Sequence, residues 1–337
     1  MHFLITGHTG FKGAWLSLIL RERGHLVSGI SLPPEVGSLF ERAKIGKNLE
    51  NDINCDIRDL TKLTTCFKMI NPDVVIHLAA QALVRESYRN PIVTFETNVM
   101  GTLNVLQASQ QIDQLKAQLI VTTDKVYKNV NKSSGYVETE ALGGQDPYSA
   151  SKAMADLATQ SWLSSFENAS TAIARAGNVL GGGDVCADRL IPDLVHSYSS
   201  GITPKLRAPN SVRPWQHVLD CLNGYLTLVD AVIENKADGA WNFGPDENQS
   251  KSVADVASIA AAVWGVEKSW ENDSGTHPHE ASTLILNSNK ARTKLGWSYK
   301  LAFEETIEWT TNWYKNVNSG MDPLEETLKN IRDFETR

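Results

Sequence analysis

Several features are scarce in this chain of 337 residues, and each scarcity excludes a class of function. Cysteine occurs four times, at Cys55, Cys66, Cys186 and Cys221, with no CxxC spacing. Neither a zinc site nor a dithiol redox pair is suggested, so no metal is expected. Free thiols of this kind fit a reducing compartment, and the expectation is a cytoplasmic protein. No basic n-region and apolar h-region precede the strand-like run Phe3-Leu4-Ile5-Thr6, so no secretory signal is expected. No apolar run approaches the roughly 18 residues that cross a bilayer, and no membrane span is expected. Positive charge is in deficit: 32 Lys and Arg stand against 39 Asp and Glu, a net −7. A polyanion such as nucleic acid needs a basic face, so nucleic-acid binding is not expected. A small anion is not excluded, because a few arginines and helix N-termini can hold it against an acidic background.

What is present is ordinary globular material, 42% hydrophobic and 21% charged, enough to bury a full core. Strand-like and helix-like segments alternate through the first half. Strands are predicted over residues 2–6, 25–30, 73–78, 118–122 and 171–175, with a third-strand region ending at Asp56-Ile57-Arg58-Asp59. Helices are predicted over 14–23, 94–112 and 150–166. The apolar run after Pro72 has the look of a strand buried on both faces. Such β-α-β alternation predicts an α/β fold, a Rossmann-type doubly wound parallel sheet with helices on both faces. After Gly177 the elements shorten and Pro and Trp become more frequent. The expected division is a dinucleotide-binding domain over 1–179, with returning segments near 214–243, and a smaller C-terminal substrate-binding lobe within 180–337. Trp162, Trp215, Trp241, Trp264, Trp297, Trp309 and Trp313 read as packing residues.

The first strand runs into Gly7-His8-Thr9-Gly10-Phe11-Lys12-Gly13 and then a helix. In a dinucleotide fold one glycine makes the turn, another lets a diphosphate approach the backbone, and a third lets helix and strand pack closely. The helix N-terminus adds free N–H groups and a favourable dipole. The second strand ends near Ser31, where an acid would mark NAD and an arginine nearby NADP; the residues leave that choice open. Asp56 is a candidate either for the adenine amino group or for a helix N-cap.

Tyr148-Ser149-Ala150-Ser151-Lys152 places Tyr and Lys four apart, on one face of a helix. An ammonium beside a phenol favours the phenolate, which would make Tyr148 a general base toward a sugar or alcohol hydroxyl. The preceding strand ends in Thr122-Thr123-Asp124-Lys125. Ligands bind at the carboxyl ends of parallel strands, so Thr123, Asp124 and Lys125 are expected beside Tyr148.

Together these residues, with His77-Leu78-Ala79-Ala80, Asn98 in Thr97-Asn98-Val99, and Leu295-Gly296-Trp297, resemble the extended short-chain dehydrogenase/reductase family. The likeness spans essentially the whole chain. Four stretches resemble most its nucleotide-sugar 4,6-dehydratases, in particular the branch acting on CDP-glucose. They are Gly7 to Gly13, Thr122 to Tyr127, Arg175 to Asp184, and Arg213-Pro214-Trp215-Gln216-His217-Val218.

The resemblance implies tightly bound NAD, reduced and re-oxidised within one turnover. It implies cofactor contacts from Gly7, Thr9, Gly10, Phe11, Lys12, Gly13, Asp56, Ile57, Leu78, Ala79, Ala80 and Asn98, with Tyr148 and Lys152 at the reactive end. It also implies a homodimer paired through the helices near 94–112 and 148–166. Within it, Thr123 would bind the sugar O4 and Asp124 would protonate the departing C6 hydroxyl. Relatives acting on dTDP-glucose carry Asp-Glu where this chain has Asp124-Lys125. Lys125 is therefore expected as the C5 base, which requires it to be neutral; the alternative is a protonated Lys125 that stabilises the enolate. Asn178, Arg189 and Arg213 are the candidates for the nucleotide diphosphate, Arg213 on an expected loop. His217 is a candidate substrate contact, and His77 reads as structural. A 4-epimerase or keto-sugar reductase would share the glycine loop and the Tyr148/Lys152 pair, without needing an acid at Asp124. An NAD-sensing binding protein would have no use for that pair.

Overall fold

The computed structural model describes residues 1–132, 134–166, 170–275 and 284–337. Six strands come from the first half: β1 (His2–Thr6), β2 (Leu26–Ser31), β3 (Asn51–Asn54), β4 (Val74–His77), β5 (Ala117–Val121) and β6 (Ser170–Ala176). A seventh, Gly239–Phe243, returns from far along the chain to pair with β6. All pairings in this sheet are parallel, and the order runs Gly239–Phe243, β6, β5, β4, β1, β2, β3. The chain reverses direction of travel across the sheet between β1 and β4, so their carboxyl ends form the crevice where such folds bind ligands.

Burial explains the strands. β4 and β5 are buried along their whole length, which is why each reads as a nearly continuous apolar run. Alternate residues serve opposite faces. Phe3, Ile5, Val74 and Ile76 join one core, while Leu4, Ile30 and Val75 join the other with Phe67 and Val105. The first of these cores continues unbroken into the C-terminal part of the chain, through Trp297, Trp313 and Phe334. The helix Val218–Ile233 packs its buried face into this core beside the sheet. Trp215 and Trp241 are also buried, and Trp264 and Trp309 pack against the same core. Trp162 instead lies against Phe166, with ring centroids 4.5 Å apart.

Two expectations of element boundaries are corrected. The third strand is Asn51–Asn54 and stops before Asp56. Asp56 turns to Arg58, while Asp59 accepts from the Lys62 N–H and caps the helix Leu60–Ile70. The helix expected over 94–112 is interrupted: Pro91–Phe95 and Gly101–Ser109 are α-helical, and Glu96–Met100 between them is a π-helical turn. Such widened turns re-aim a side chain, and this one contains Asn98. Among the described residues no helix is long and apolar enough to cross a membrane.

Candidate active site

The glycine loop is shaped by contacts that only hydrogen atoms at Cα permit. Gly7 has φ +79, and a Cβ there would meet the Ala79 nitrogen at 2.6 Å. A Cβ on Gly13 would meet the Gly7 carbonyl at 2.2 Å, so this glycine sets how closely the helix Phe11–Glu22 sits on β1. Gly10 is exposed, with only the Gly7 carbonyl near its Cβ position, at 3.4 Å. It is the N-cap of that helix and supplies no side-chain cap, leaving the first-turn N–H groups open. The result is a cradle with an open roof and a positive helix end, which fits a diphosphate. Leu78, Ala79 and Ala80 are half-buried just after β4 and form its neighbouring wall.

Other expected cofactor residues take different posts. The Thr9 hydroxyl bonds to Ser31 Oγ at 2.7 Å and donates to the Leu32 carbonyl at 3.0 Å, tying the loop to the end of β2. Asp56 is paired with Arg58 at 2.6 Å, and that partner holds its carboxyl below the usual range. Ile57 is buried and lies against Gly101. The Asn98 amide donates to the Gln81 carbonyl and to Ser151 Oγ and accepts from the Gln81 N–H, at 3.0, 2.9 and 2.8 Å. Asn98 therefore fastens the segment after β4 to the helix Pro147–Ser165. Lys12 reaches past the cradle and donates to the Tyr225 hydroxyl at 3.1 Å.

Tyr148 and Lys152 lie on the helix Pro147–Ser165, started by Pro147 and capped by Asp146. Both are buried. Burial pushes the Tyr148 phenol up to about 12, against the lowering effect of the Thr123 hydroxyl. Burial, and then the charge of Lys12, pushes Lys152 down to about 8. The Lys152 ammonium donates to the Val121 carbonyl at 2.9 Å, which anchors it to the end of β5. Without another ligand it does not activate Tyr148 through a direct bond, contrary to the simplest reading of the pair.

Asp124 is 2% exposed. Its Oδ1 accepts from Thr123 Oγ1 at 2.9 Å, while its buried Oδ2 has no hydrogen-bond partner. Burial raises its pKa, against the pull of Lys125. Oδ2 lies beside Gly177, where a Cβ would approach it to 3.4 Å. The Lys125 ammonium stands 5.8 Å from the centre of the Tyr148 ring. Lys125, Asp146, Ser149 and Arg213, with Val84 and Tyr88, line a cleft of about 200 Å³.

The expected diphosphate ligands are only partly gathered. Arg213 is buried in a two-residue strand, Val212–Arg213, rather than on a loop, and its charge reaches Asp124. Arg189 is paired with Asp184 at 2.7 Å and acts on Tyr148, so it also faces the chamber. Asn178 is half-buried between β6 and the short strand Val179–Leu180. His217 does not reach the cleft. It caps the helix Val218–Ile233 by accepting from the Leu219 N–H and is wedged edge-on between Trp15 and Trp309. Burial pushes it down to about 3, so it is a neutral packing and capping residue. His77 bonds to Thr6 and Thr102 at 2.6 and 3.1 Å inside the core.

Two clusters escaped the sequence reading. Behind the segment Thr123-Asp124-Lys125, Arg175 grips Asp156 with bonds of 2.8 and 2.7 Å, both side chains at most 1% exposed. Thr122 donates to Asp156, and the Tyr127 hydroxyl accepts from Arg175 and donates to Asn242. The residues on either side of Thr123-Asp124-Lys125 are thus clamped. A signal existed: Tyr148, Lys152 and Asp156 recur every fourth residue on one helix stripe. In front, Arg85 and Arg207 both pair with Asp188, at 2.9 and 3.2 Å, joining the helix Val84–Arg89 to positions 188 and 207. No local spacing links those three positions.

Comparison with known proteins agrees with this geometry. Residues 4–310 match the family model described as GDP-mannose 4,6 dehydratase. The chain is 42% identical to a CDP-glucose 4,6-dehydratase of Salmonella typhimurium, over 98% of this chain and 95% of that one. It is 27% identical to a dTDP-glucose 4,6-dehydratase of Shigella flexneri, over 95% and 96% of the two chains. Among solved structures, a dTDP-glucose 4,6-dehydratase of Streptomyces venezuelae with NAD superposes with a TM-score of 0.83 at 24% identity, covering 96% of this chain and all of the other. A UDP-glucose 4-epimerase of Thermotoga maritima superposes with a TM-score of 0.84 at 22% identity, over 94% and 100%. The same scaffold therefore carries both chemistries, and the sequence likeness decides the family: the chain belongs to the GDP-mannose 4,6-dehydratase family.

Proposed function

We propose that the protein is an NAD-dependent CDP-glucose 4,6-dehydratase that makes CDP-4-keto-6-deoxyglucose and water. The observation that carries the dehydratase reading is Asp124: a buried acid with one unpartnered oxygen, beside Thr123 and Tyr148. An epimerase or reductase has no hydroxyl to expel and no need of such an acid. The choice of CDP-glucose is supported by the 42% identical relative of that name.

Gly7, Gly10, Gly13 and the wall after β4 would hold NAD, which when bound would supply the chemistry of taking hydride from C4 and returning it to C6. The Tyr148 oxygen accepts the C4 hydroxyl proton, and the Thr123 hydroxyl orients O4. Lys152, anchored on Val121, stands one helical turn from Tyr148 and supports its phenolate once the site is filled. The C4 ketone acidifies the C5 proton, and Lys125 takes the role of the base that removes it. Asp124 delivers its proton to the C6 hydroxyl, which leaves as water. Arg189, Arg213 and Asn178 hold the diphosphate. If the Lys125→Ala variant exchanges the C5 proton with solvent at the parent rate, the base role is lost to the enolate-stabilising one.

Purified protein incubated separately with CDP-glucose, dTDP-glucose, UDP-glucose and GDP-mannose should form a 4-keto-6-deoxy product, seen by its alkaline absorbance, from CDP-glucose. No product from any donor would overturn the reading. A homodimer goes with it, supported by the exposed apolar side chains Ile92, Val93 and Met100 on one helical segment and Met154 and Leu157 on the other. Light scattering that gives a monomer at micromolar concentration would count against that. The free thiols of Cys55, Cys66, Cys186 and Cys221 are in keeping with a cytoplasmic enzyme.

A further inference from the structure

We infer that Lys12 is a second cation of the catalytic chamber, positioned by Tyr225 to favour the reduced, uncharged form of the nicotinamide ring. The inference rests on the NAD reading above and deepens it. A lysine at the second position of this helix could simply lie over the phosphate cradle. Lys12 does not: its ammonium donates to Tyr225 Oη at 3.1 Å and stands 5.3 Å from the centre of that ring. Tyr225 is wholly buried on the helix Val218–Ile233, and its hydroxyl is close enough to feel both Tyr148 and Asp124. Among the described residues Lys12 has Tyr225 Oη and the buried Cys221 thiol as polar neighbours and no carboxylate in ion-pair range. Its charge is felt by Lys152. Two lysines thus share one largely buried chamber, approaching from the helices Phe11–Glu22 and Pro147–Ser165, with no acid assigned to balance Lys12.

The electrostatic consequence is specific. The reacting ring has to lie within reach of Tyr148 and Lys152, because it takes the C4 hydride while Tyr148 takes the hydroxyl proton. In accepting that hydride the ring gains two electrons and loses its positive charge. A fixed cation nearby disfavours the oxidised ring and leaves the reduced one almost untouched. The diphosphate carries the same charge in both forms, so any attraction between Lys12 and phosphate cancels when their affinities are compared. At an effective dielectric of about 20, a unit charge some 10 Å away changes such a ratio by about tenfold. Lys12 would therefore help draw hydride from C4, while Tyr225 keeps the ammonium from swinging out toward the phosphates.

The test is the ratio of NAD to NADH dissociation constants, measured by fluorescence titration on the cofactor-stripped full-length wild type and on Lys12→Met, Lys12→Arg and Tyr225→Phe. Lys12→Met should weaken NADH relative to NAD by about tenfold. Lys12→Arg should keep the wild-type ratio, and Tyr225→Phe should shift it in the same direction as Lys12→Met, which covers the case that Lys12→Met does not fold. Equal weakening of both forms in Lys12→Met, or an unchanged ratio in both neutralising and unanchoring variants, would overturn the inference and leave Lys12 a phosphate ligand. Wild-type protein that binds neither form would overturn the NAD reading itself, and the inference with it.

Discussion

Two ion-pair clusters flank the candidate catalytic segment Thr123-Asp124-Lys125, and they are built on opposite terms. Behind it, Arg175 and Asp156 are at most 1% exposed, and Thr122, Tyr127 and Asn242 extend the network. In front, Arg85, Arg207 and Asp188 are 25–32% exposed and join the helix Val84–Arg89, whose Val84 and Tyr88 line the cleft, to positions 188 and 207. A buried pair is costly to form and costlier to break, so the rear cluster gives the segment one geometry. A partly solvated pair adds little stability and exchanges partners easily. The difference sets a sealed cluster that fixes geometry against an open one that does not.

The largest expected effect lies on the segment between the clusters. Asp124→Asn should lower keto-sugar formation by about 10²–10⁴-fold while C4 oxidation, seen as cofactor reduction in a single turnover, persists. Loss of both steps together would show that Asp124 organises the site rather than acting as its acid. Next, Arg175→Met should cost about 3–5 kcal/mol in urea unfolding, because Asp156 is left buried and alone. Removing both partners together should cost less, and a cost under about 1 kcal/mol for Arg175→Met would make the rear cluster equivalent to the front one.

Acid should expose the sealed interior in another way. His77 and His217 are both pushed down to about 3 by burial, from 6.5. The unfolded chain binds their protons below about pH 6.5 and the folded chain does not. Stability is therefore full above that pH and falls as pH drops toward 3, by about 2 kcal/mol per histidine at pH 5. Denaturant melts at pH 7 and 5 measure this, and His217→Asn should flatten the slope. The smallest effect belongs to the front cluster. Arg85→Met should change stability by less than about 1 kcal/mol, whereas Arg189→Met should raise KM about tenfold with kcat nearly unchanged. A large stability loss in Arg85→Met would mean the fold depends on that contact.

Legibility from sequence followed the range of the interactions. The sheet, the glycine loop and the Tyr148/Lys152 stripe depend on neighbours within a few residues, so period and spacing revealed them. Asn98 was visible as a motif, but its π-helical turn and its bonds to Gln81 and Ser151 were not. His217 carried the residue type of a substrate contact; only the tryptophans on either side of it showed a packing role. Asp56 was read at the end of a strand, yet it is Asp59 that caps the next helix. Arg85, Arg207 and Asp188 stand too far apart in the chain for any local pattern to join them.

The scarcity of cysteine, of long apolar runs and of positive charge settled by itself which ligand classes to set aside. The glycine spacing and the helix stripe then pointed to where a dinucleotide and a general base would belong. Tertiary structure decided the rest, because protonation and partnership depend on what surrounds a group. Asp124 is a candidate acid because the fold removes its oxygen from water and leaves it unpartnered. Lys12 turns toward Tyr225 because a helix more than 200 residues away brings that hydroxyl to it.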